Sequence, residues 1–361
     1  MLRLPDMDER LARHRHFWGP TVDGEGPYFA LASPLPQFRS VEDRFERWLD
    51  LDYRLDTLAE SFECAFFLGD AVPRVDPDFG PTFLPALLGR PYRVGENTVW
   101  FDIEPFCDAE EIYGLSVQHD GAYYRTFTEL TAKLCERSEG RYLVGAADAG
   151  GVIDILASLW DRESLLMEMA ESPENVARLL EHVEKLWTEV TLENERIVRR
   201  TQPYTITWVP VANDKPWGPV LSEISAMVSP KMFREIIAPS IEIMSRVFDQ
   251  ILFNVDGDSY VRHLPEVMNL EKLHSIEWDP NPKYGANGRL EKDFTTPDSI
   301  AVIRHILERK KIVFNDIPAW QVPRIMEKIP HDGVFFYLEF DNLNEAGDFL
   351  EMSRRWTRGR I

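Results

Sequence analysis

Short apolar runs, each stopped by polar, glycine or proline residues and followed by a longer segment of helical period, recur along the whole chain. Eight such runs read as strands. They are "YFALASP" from Tyr28, "CAFFLGD" from Cys64, "YLVGAAD" from Tyr142 and "TITWVPVA" from Thr205. The others are "QILFNVDGD" from Gln250, "LHSIEWDP" from Leu273, "KIVFNDIP" from Lys311 and "VFFYLEFD" from Val334. Their apolar parts are continuous rather than alternating, as expected of parallel strands covered by helices on both faces. The intervening helices carry start signals: Ser172-Pro173 opens a long amphipathic segment, Ser229-Pro230 repeats it, and "TPDSIAVIRHILERKK" and "NEAGDFLEMSRRW" follow later strands. Eight strands alternating with helices predict an α/β fold of the TIM (β/α)8 barrel type. A doubly wound open sheet is the alternative, although no GxGxxG follows any run. Without a linker or low-complexity tract, residues 1–361 read as one domain. Residues 1–27 form an N-terminal extension, and 79–141 an elaborated loop and helix that includes the strand-like "TVWFDIEPF".

Acids and amides cluster where the runs stop. In order they are Asp70, Asp148, Asn254 with Asp256, Glu277 with Asp279, Asn315 with Asp316, and Glu339 with Asp341. In a barrel these strand ends and the loops after them form the active-site face. Buried carboxylates are costly unless paired, protonated or bound to a cation, so their convergence needs a chemical reason. Capping the next helix is the ordinary reading, and it suits Asp279, Asp316 and Asp341 best. Asp256, before Gly257, and Asp70, after Gly69, stand apart, as do Glu277 beside Trp278 and Glu339 near Phe340. A carboxyl against an apolar wall has a raised pKa and can act as a general acid. The catalytic candidates are therefore Asp256, Glu339, Glu277 and Asp70. Asn254, Asp148 and Asn315 complete the set, with Trp208, Trp217 and Trp278 as an aromatic wall for a ligand. His119 is a further ligand-binding candidate; His263 reads as structural. Oxygen donors alone leave any metal undetermined, because no HxxxH spacing exists and no HxH falls among these acids.

A formal charge of −21 excludes phosphate-neutralising partners such as nucleic acid and anionic membrane. The three cysteines, Cys64, Cys107 and Cys135, have no pairing spacing and suggest reduced thiols, with Cys64 and Cys135 expected to be buried. A charged N-terminus and the lack of a long apolar stretch predict a cytoplasmic protein.

Several blocks, in order, resemble the uroporphyrinogen decarboxylase superfamily: "CAFFLGD...P..FGP", "LVGAADAGGVIDILASLWDRESLLMEMAESPENV", "MVSPKMFREIIAPSIEIM", "ILFNVDGD...HLPEV" and "SIEWDPNP". The resemblance runs from about Cys64 to the C-terminus and itself implies a TIM barrel. It implies one of two activities. The first is cofactor-free decarboxylation of a porphyrinogen, a carboxy-lyase centred on Asp70, which stands where the decarboxylases hold the substrate's pyrrole NH groups. The second is methyl transfer that depends on a corrinoid (cobalamin). Departures from the pattern favour the second. The decarboxylases' arginine pair is missing, with only Arg39 in its neighbourhood, and Glu339 replaces their late histidine. Asn254, Asp256 and Glu339 also stand where thiol-directed methyltransferases carry zinc ligands. The reading is a methyltransferase that moves a methyl group from a small methylated substrate to a corrinoid carrier protein, with homodimers as in family members. Asp256 and Glu339 would be its acid and hydrogen-bonding partner. A non-catalytic binding or accessory subunit is the third reading.

Overall fold

Seven of the eight runs form strands. The computed structural model describes residues 4–96, 99–100, 109–160, 162–284, 290–315 and 317–357. We label the strands β1 (Tyr28–Ala32), β2 (Phe67–Gly69), β3 (Arg74–Val75), β4 (Leu143–Val144) and β5 (Trp217–Val220). Further along are β6 (Gln250–Asp256), β7 (Leu273–Asp279), β8 (Lys311–Phe314) and β9 (Val334–Glu339). Two small separate pairs, Arg93–Val94 with Val99–Trp100 and Lys283–Tyr284 with Leu290–Glu291, are left unlabelled. A seven-stranded sheet runs in the order β2-β1-β9-β8-β7-β6-β5, parallel throughout except that β2 is antiparallel to β1. Beyond it β3 and β4 form a parallel pair of their own. The chain that leaves this pair bonds onward, Gly145 N–H to Val75 O at 2.9 Å and Ala146 N–H to Ile206 O at 2.7 Å. The Trp217 indole, at the start of β5, donates to Thr205 O at 2.9 Å.

Continuous apolar runs have the consequence expected of them. On the helix-covered face, Phe29 stacks on Phe336 at 5.2 Å and Phe336 on Phe314 at 4.8 Å. Phe294 continues the row edge-on to Phe314 and to Trp278. Full burial of each ring contributes about 2–3 kcal/mol and sets the relative heights of β1, β9, β8 and β7. On the opposite face, side chains alternate with these rings, so Ala30, Ala32, Tyr337, Glu339 and Glu277 share the other side.

Three expectations change. The Thr205 run makes only a single antiparallel bridge, Thr205 to Asn213, because Pro210 lacks an N–H and the Thr207 hydroxyl turns the backbone at Val209. The strand forms instead at Trp217–Val220, where Pro219 is tolerated because β5 is a sheet edge. Of the two cysteines expected to be buried, Cys135 is, with burial pushing its thiol to about 11, but Cys64 caps a helix and is exposed. Cys107, Asp316 and most of "TVWFDIEPF" lie outside the described residues. The 26-residue helix Pro173–Val198 forms as expected, though the Ser172 side chain makes no capping bond.

The N-terminal extension closes the amino ends of the parallel strands. Its helix Met7–Phe17 delivers Phe17 onto Phe335 and Trp18 onto Trp217. His14 takes a bond from Ala212 N–H at Nδ1, so its Nε2–H donates to Asp70 O, and burial lowers its pKa to about 4. Lys311, at the foot of β8, reaches Phe17 O at 2.7 Å and Glu25 at 3.1 Å, with both charges almost fully enclosed. Among the described residues no helix is long and apolar enough to cross a membrane.

Removing one partner of an enclosed ion pair strands the other charge. Lys311→Met is therefore expected to cost about 3–5 kcal/mol in denaturant unfolding, and adding Glu25→Gln should recover most of the loss. A single variant as stable as the wild type would show that the pair does not anchor the extension.

Candidate functional site

At the carboxyl ends of the parallel strands the register brings acids and amides together. Asn254 and Glu277 are cross-strand partners, as are Ala32 and Glu339. Asn254 Nδ2 donates to Glu277 Oε2 at 3.1 Å, and the nearby Asn315 amide also favours the charged form of Glu277. Glu277 is 3 % exposed. Burial, reinforced by the nearby Asp279 carboxylate, pushes its pKa up to about 8, against the two amides and Lys292. At neutral pH it is therefore a carboxylic acid, with Oε2 accepting from Asn254 and the proton left to the other oxygen. Asp279 is itself held by Lys292 at 2.5 Å.

Next to Asn254 opens a bay of ≈ 400 Å³, lined by Asp76, Phe79, Asp148, Trp208, Glu223 and Asn254. Asp148 accepts from Gly150 N–H at 2.8 Å, and burial raises its pKa to about 6. The Trp208 indole N–H draws that value down but falls short of hydrogen-bond geometry, so its effect on the carboxylate is electrostatic. The Glu223 wall is pinned from behind. The Asp154 carboxylate accepts from Glu223 N–H at 2.9 Å and Ile224 N–H at 3.0 Å, and the Tyr260 hydroxyl donates to Ser222 O. Asp76 extends the bay into a smaller annex with Arg74, Tyr337 and Glu339. Arg74 Nε donates to Asp76 at 2.6 Å, and its guanidinium lies 5.5 Å from the Tyr337 ring centre. The close approach of Asp76 depends on Gly145, since a Cβ there would collide with the Asp76 carboxylate.

Of the residues singled out in the sequence, Asn254, Glu277, Asn315, Asp148 and Trp208 gather here, and Glu339 lines the annex. Asp256 lies one rung above Asn254 and is exposed at the rim. Four do not join them. Asp70 lies at the opposite pole, because antiparallel β2 carries the chain back to the foot of β1. There it bonds Phe29 N–H and is paired with Arg13. Gly69 makes that reversal with φ +62, where a Cβ would strike Phe29 O. Trp217 is at the same pole, fully buried against Trp18. Trp278 points to the helix-covered face, so the raised pKa of its neighbour Glu277 owes nothing to a tryptophan wall. His119 is exposed and paired with Glu189 at 2.9 Å. His263 is buried against Phe233 and bonds Ser225 O, as a structural histidine should. Arg39 is exposed and bound to Glu60.

Sequence reasoning missed Arg74, Asp76 and Glu223. The "RVDPDFG" stretch offered a signal for Asp76, an acid directly after a two-residue strand and before Pro77. Glu223 had none, since its place depends on the half-buried Asp154. Among the described residues no group of three or more His, Cys, Asp or Glu side chains is arranged to hold a metal ion.

An α/β fold with an acidic, aromatic bay at the carboxyl ends of its parallel strands describes a ligand-binding scaffold used by many enzymes. No protein-family model matches the sequence, and no curated protein resembles it in sequence. Solved structures do match. A methyltransferase from Methanosarcina mazei superimposes with a TM-score of 0.60 at 12 % identity, over 97 % of this chain and 98 % of that one. At that identity the likeness establishes a shared fold.

Because Glu277 binds its proton more tightly in the folded chain than in the unfolded one, it stabilises the fold fully below about pH 4.5. That contribution fades as pH rises toward 8. Glu277→Gln should thus gain stability over the wild type between pH 5 and pH 9, by a few kcal/mol at the alkaline end, and match it near pH 4. Denaturant midpoints across that range measure the effect; parallel curves would mean that Glu277 is not a neutral acid.

Proposed function

We propose that the chain is an enzyme of the uroporphyrinogen decarboxylase-like type, a closed (β/α)8 barrel that removes a methyl group from a small methylated substrate. The closing segment would be β3, β4 and the Ile206 stretch, which are hydrogen-bonded to one another in that order. One observation carries the functional reading. Asp148, whose pKa of about 6 suits proton transfer near neutrality, lines a bay walled by Trp208, in a fold shared with a methyltransferase.

Transfer of a methyl group leaves the bond pair on the heteroatom it came from, and that atom needs a proton. Asp148 would donate it, while Trp208 and Phe79 orient the methylated end. Burial holds Glu277 neutral behind them, against the pull of the Asn254 amide, so that it stands as a hydrogen-bond donor rather than a second anion. A corrinoid supplies a strong methyl acceptor, and here it would belong to a partner protein that meets the open bay from solvent. The carboxy-lyase alternative loses its centre, because Asp70 is tied up by Arg13 and Phe29 at the far pole.

The test incubates the protein with a panel of methyl ethers, methylamines and methyl thioethers and reads the loss of the cob(I)alamin spectrum. Turnover with at least one of them is expected, and Asp148→Asn should reduce it by about 10²–10⁴-fold with unfolding unchanged. Uroporphyrinogen should yield no coproporphyrinogen. Clear decarboxylation, or full activity of Asp148→Asn, would overturn the proposal.

A further inference from the structure

A second cavity lies behind Asp148. This chamber of ≈ 30 Å³ separates the segment after β4 from the helix Pro173–Val198, and Asp148, Asn194 and Glu195 are among its lining residues. Asn194 is 2 % exposed and Glu195 8 %. Asn194 spends its amide nitrogen on Ala147 O at 3.1 Å, which leaves Oδ1 as its free end. Glu195 accepts from the Thr205 hydroxyl at Oε2, 3.2 Å away. Asn194 Oδ1 and Glu195 Oε1 are both buried, and neither has a hydrogen-bond partner among the described residues.

With Glu195 ionised, these two atoms share one property: both only accept. Whatever satisfies them must bring hydrogens or positive charge. None of the donors in the chamber wall is bonded to them, the Thr191 and Thr207 hydroxyls included. The Trp187 and Trp217 indoles, which also line it, already donate to Gly150 O and Thr205 O. The Arg199 guanidinium, one turn on from Glu195, is spent on the Thr205 hydroxyl and Asp214 O. The Phe248 ring has nothing to offer. A water needs about 10–15 Å³ of such space and two to four polar partners. The chamber has room for one, with little to spare, and its wall carries enough acceptors to orient it.

We propose that this chamber is a binding site for one water molecule, which donates to Asn194 Oδ1 and Glu195 Oε1 and links Glu195 to Asp148. The two carboxyl groups would then share a proton across it. With the proton on Asp148, Glu195 is the carboxylate; with the proton on Glu195, Asp148 is, and the water's hydrogens reorient between the two arrangements. Burial raises the pKa of both groups, so each binds a proton more readily than it would in water. The charged and polar neighbours differ on the two sides. Glu223 and Trp208 face Asp148 from the bay, while Arg199 and Thr205 face Glu195. The site does not depend on the reaction carried out in the bay.

A crystal structure of the whole chain that resolves ordered solvent, with a parallel rubidium soak, tests the site directly. A single solvent peak within hydrogen-bond distance of Asn194 Oδ1 and Glu195 Oε1, without rubidium anomalous signal, is the expected result. A rubidium peak would replace the water with a monovalent cation, and a chamber closed by rotated side chains would remove the site. Carboxyl-carbon NMR of Asp148 tests the link: Glu195→Gln should lower its titration midpoint, and an unchanged midpoint would show that the two groups are not coupled.

Discussion

The stacked rings Phe29, Phe336 and Phe314 hold three neighbouring strands at a common height, and the site inherits its geometry from that alignment. With strands about 4.8 Å apart, fixing their heights also fixes where each run stops. The apolar residues occupy both faces of β6 to β9, so the polar residues that end those runs have only the rim to occupy. Asn254 meets Glu277 and Ala32 meets Glu339 for this reason, and not because the polar groups attract one another.

Two carboxyl groups at this rim are kept chemically distinct by their surroundings. Glu277, enclosed between two amides and near the Asp279 carboxylate, keeps its proton well past neutrality. Asp148, partly open to the bay and bonded to Gly150 N–H, titrates close to neutral pH. One therefore serves as a fixed donor and the other as an exchangeable one. The same logic operates at the opposite pole in reverse. There burial keeps His14 neutral by lowering its pKa, and the enclosed Lys311–Glu25 pair ties the first 27 residues to the strand feet. That pole is built for cohesion, and Asp70 belongs to it.

Much of this plan was legible in the residues. Continuous apolar runs identified the parallel strands, and terminal acids and amides identified the rim, because burial on two faces leaves polar groups no other place. Asn254, Glu277, Asn315, Asp148 and Trp208 were found in this way. The errors share a cause. Asp70, Trp217 and Trp278 were assigned to the rim from position along the chain, but direction and facing are properties of pairing. A strand that runs antiparallel delivers its last residue to the opposite pole, and a one-residue step along a strand moves a side chain to the other face.

The sequence by itself determined the class of fold, the strand-and-helix order and the acidic character of one end, since these follow from local periodicity and the cost of burying polar groups. Tertiary structure alone decided which acids face a cavity, which keep their protons and which serve only to tie segments together. Those outcomes depend on contacts between residues far apart in the chain. Gly145 admits Asp76, Asp154 pins Glu223, and Asn194 and Glu195 back onto Asp148. No local pattern encodes distances of that kind, because the free energy that sets them resides in packing between elements.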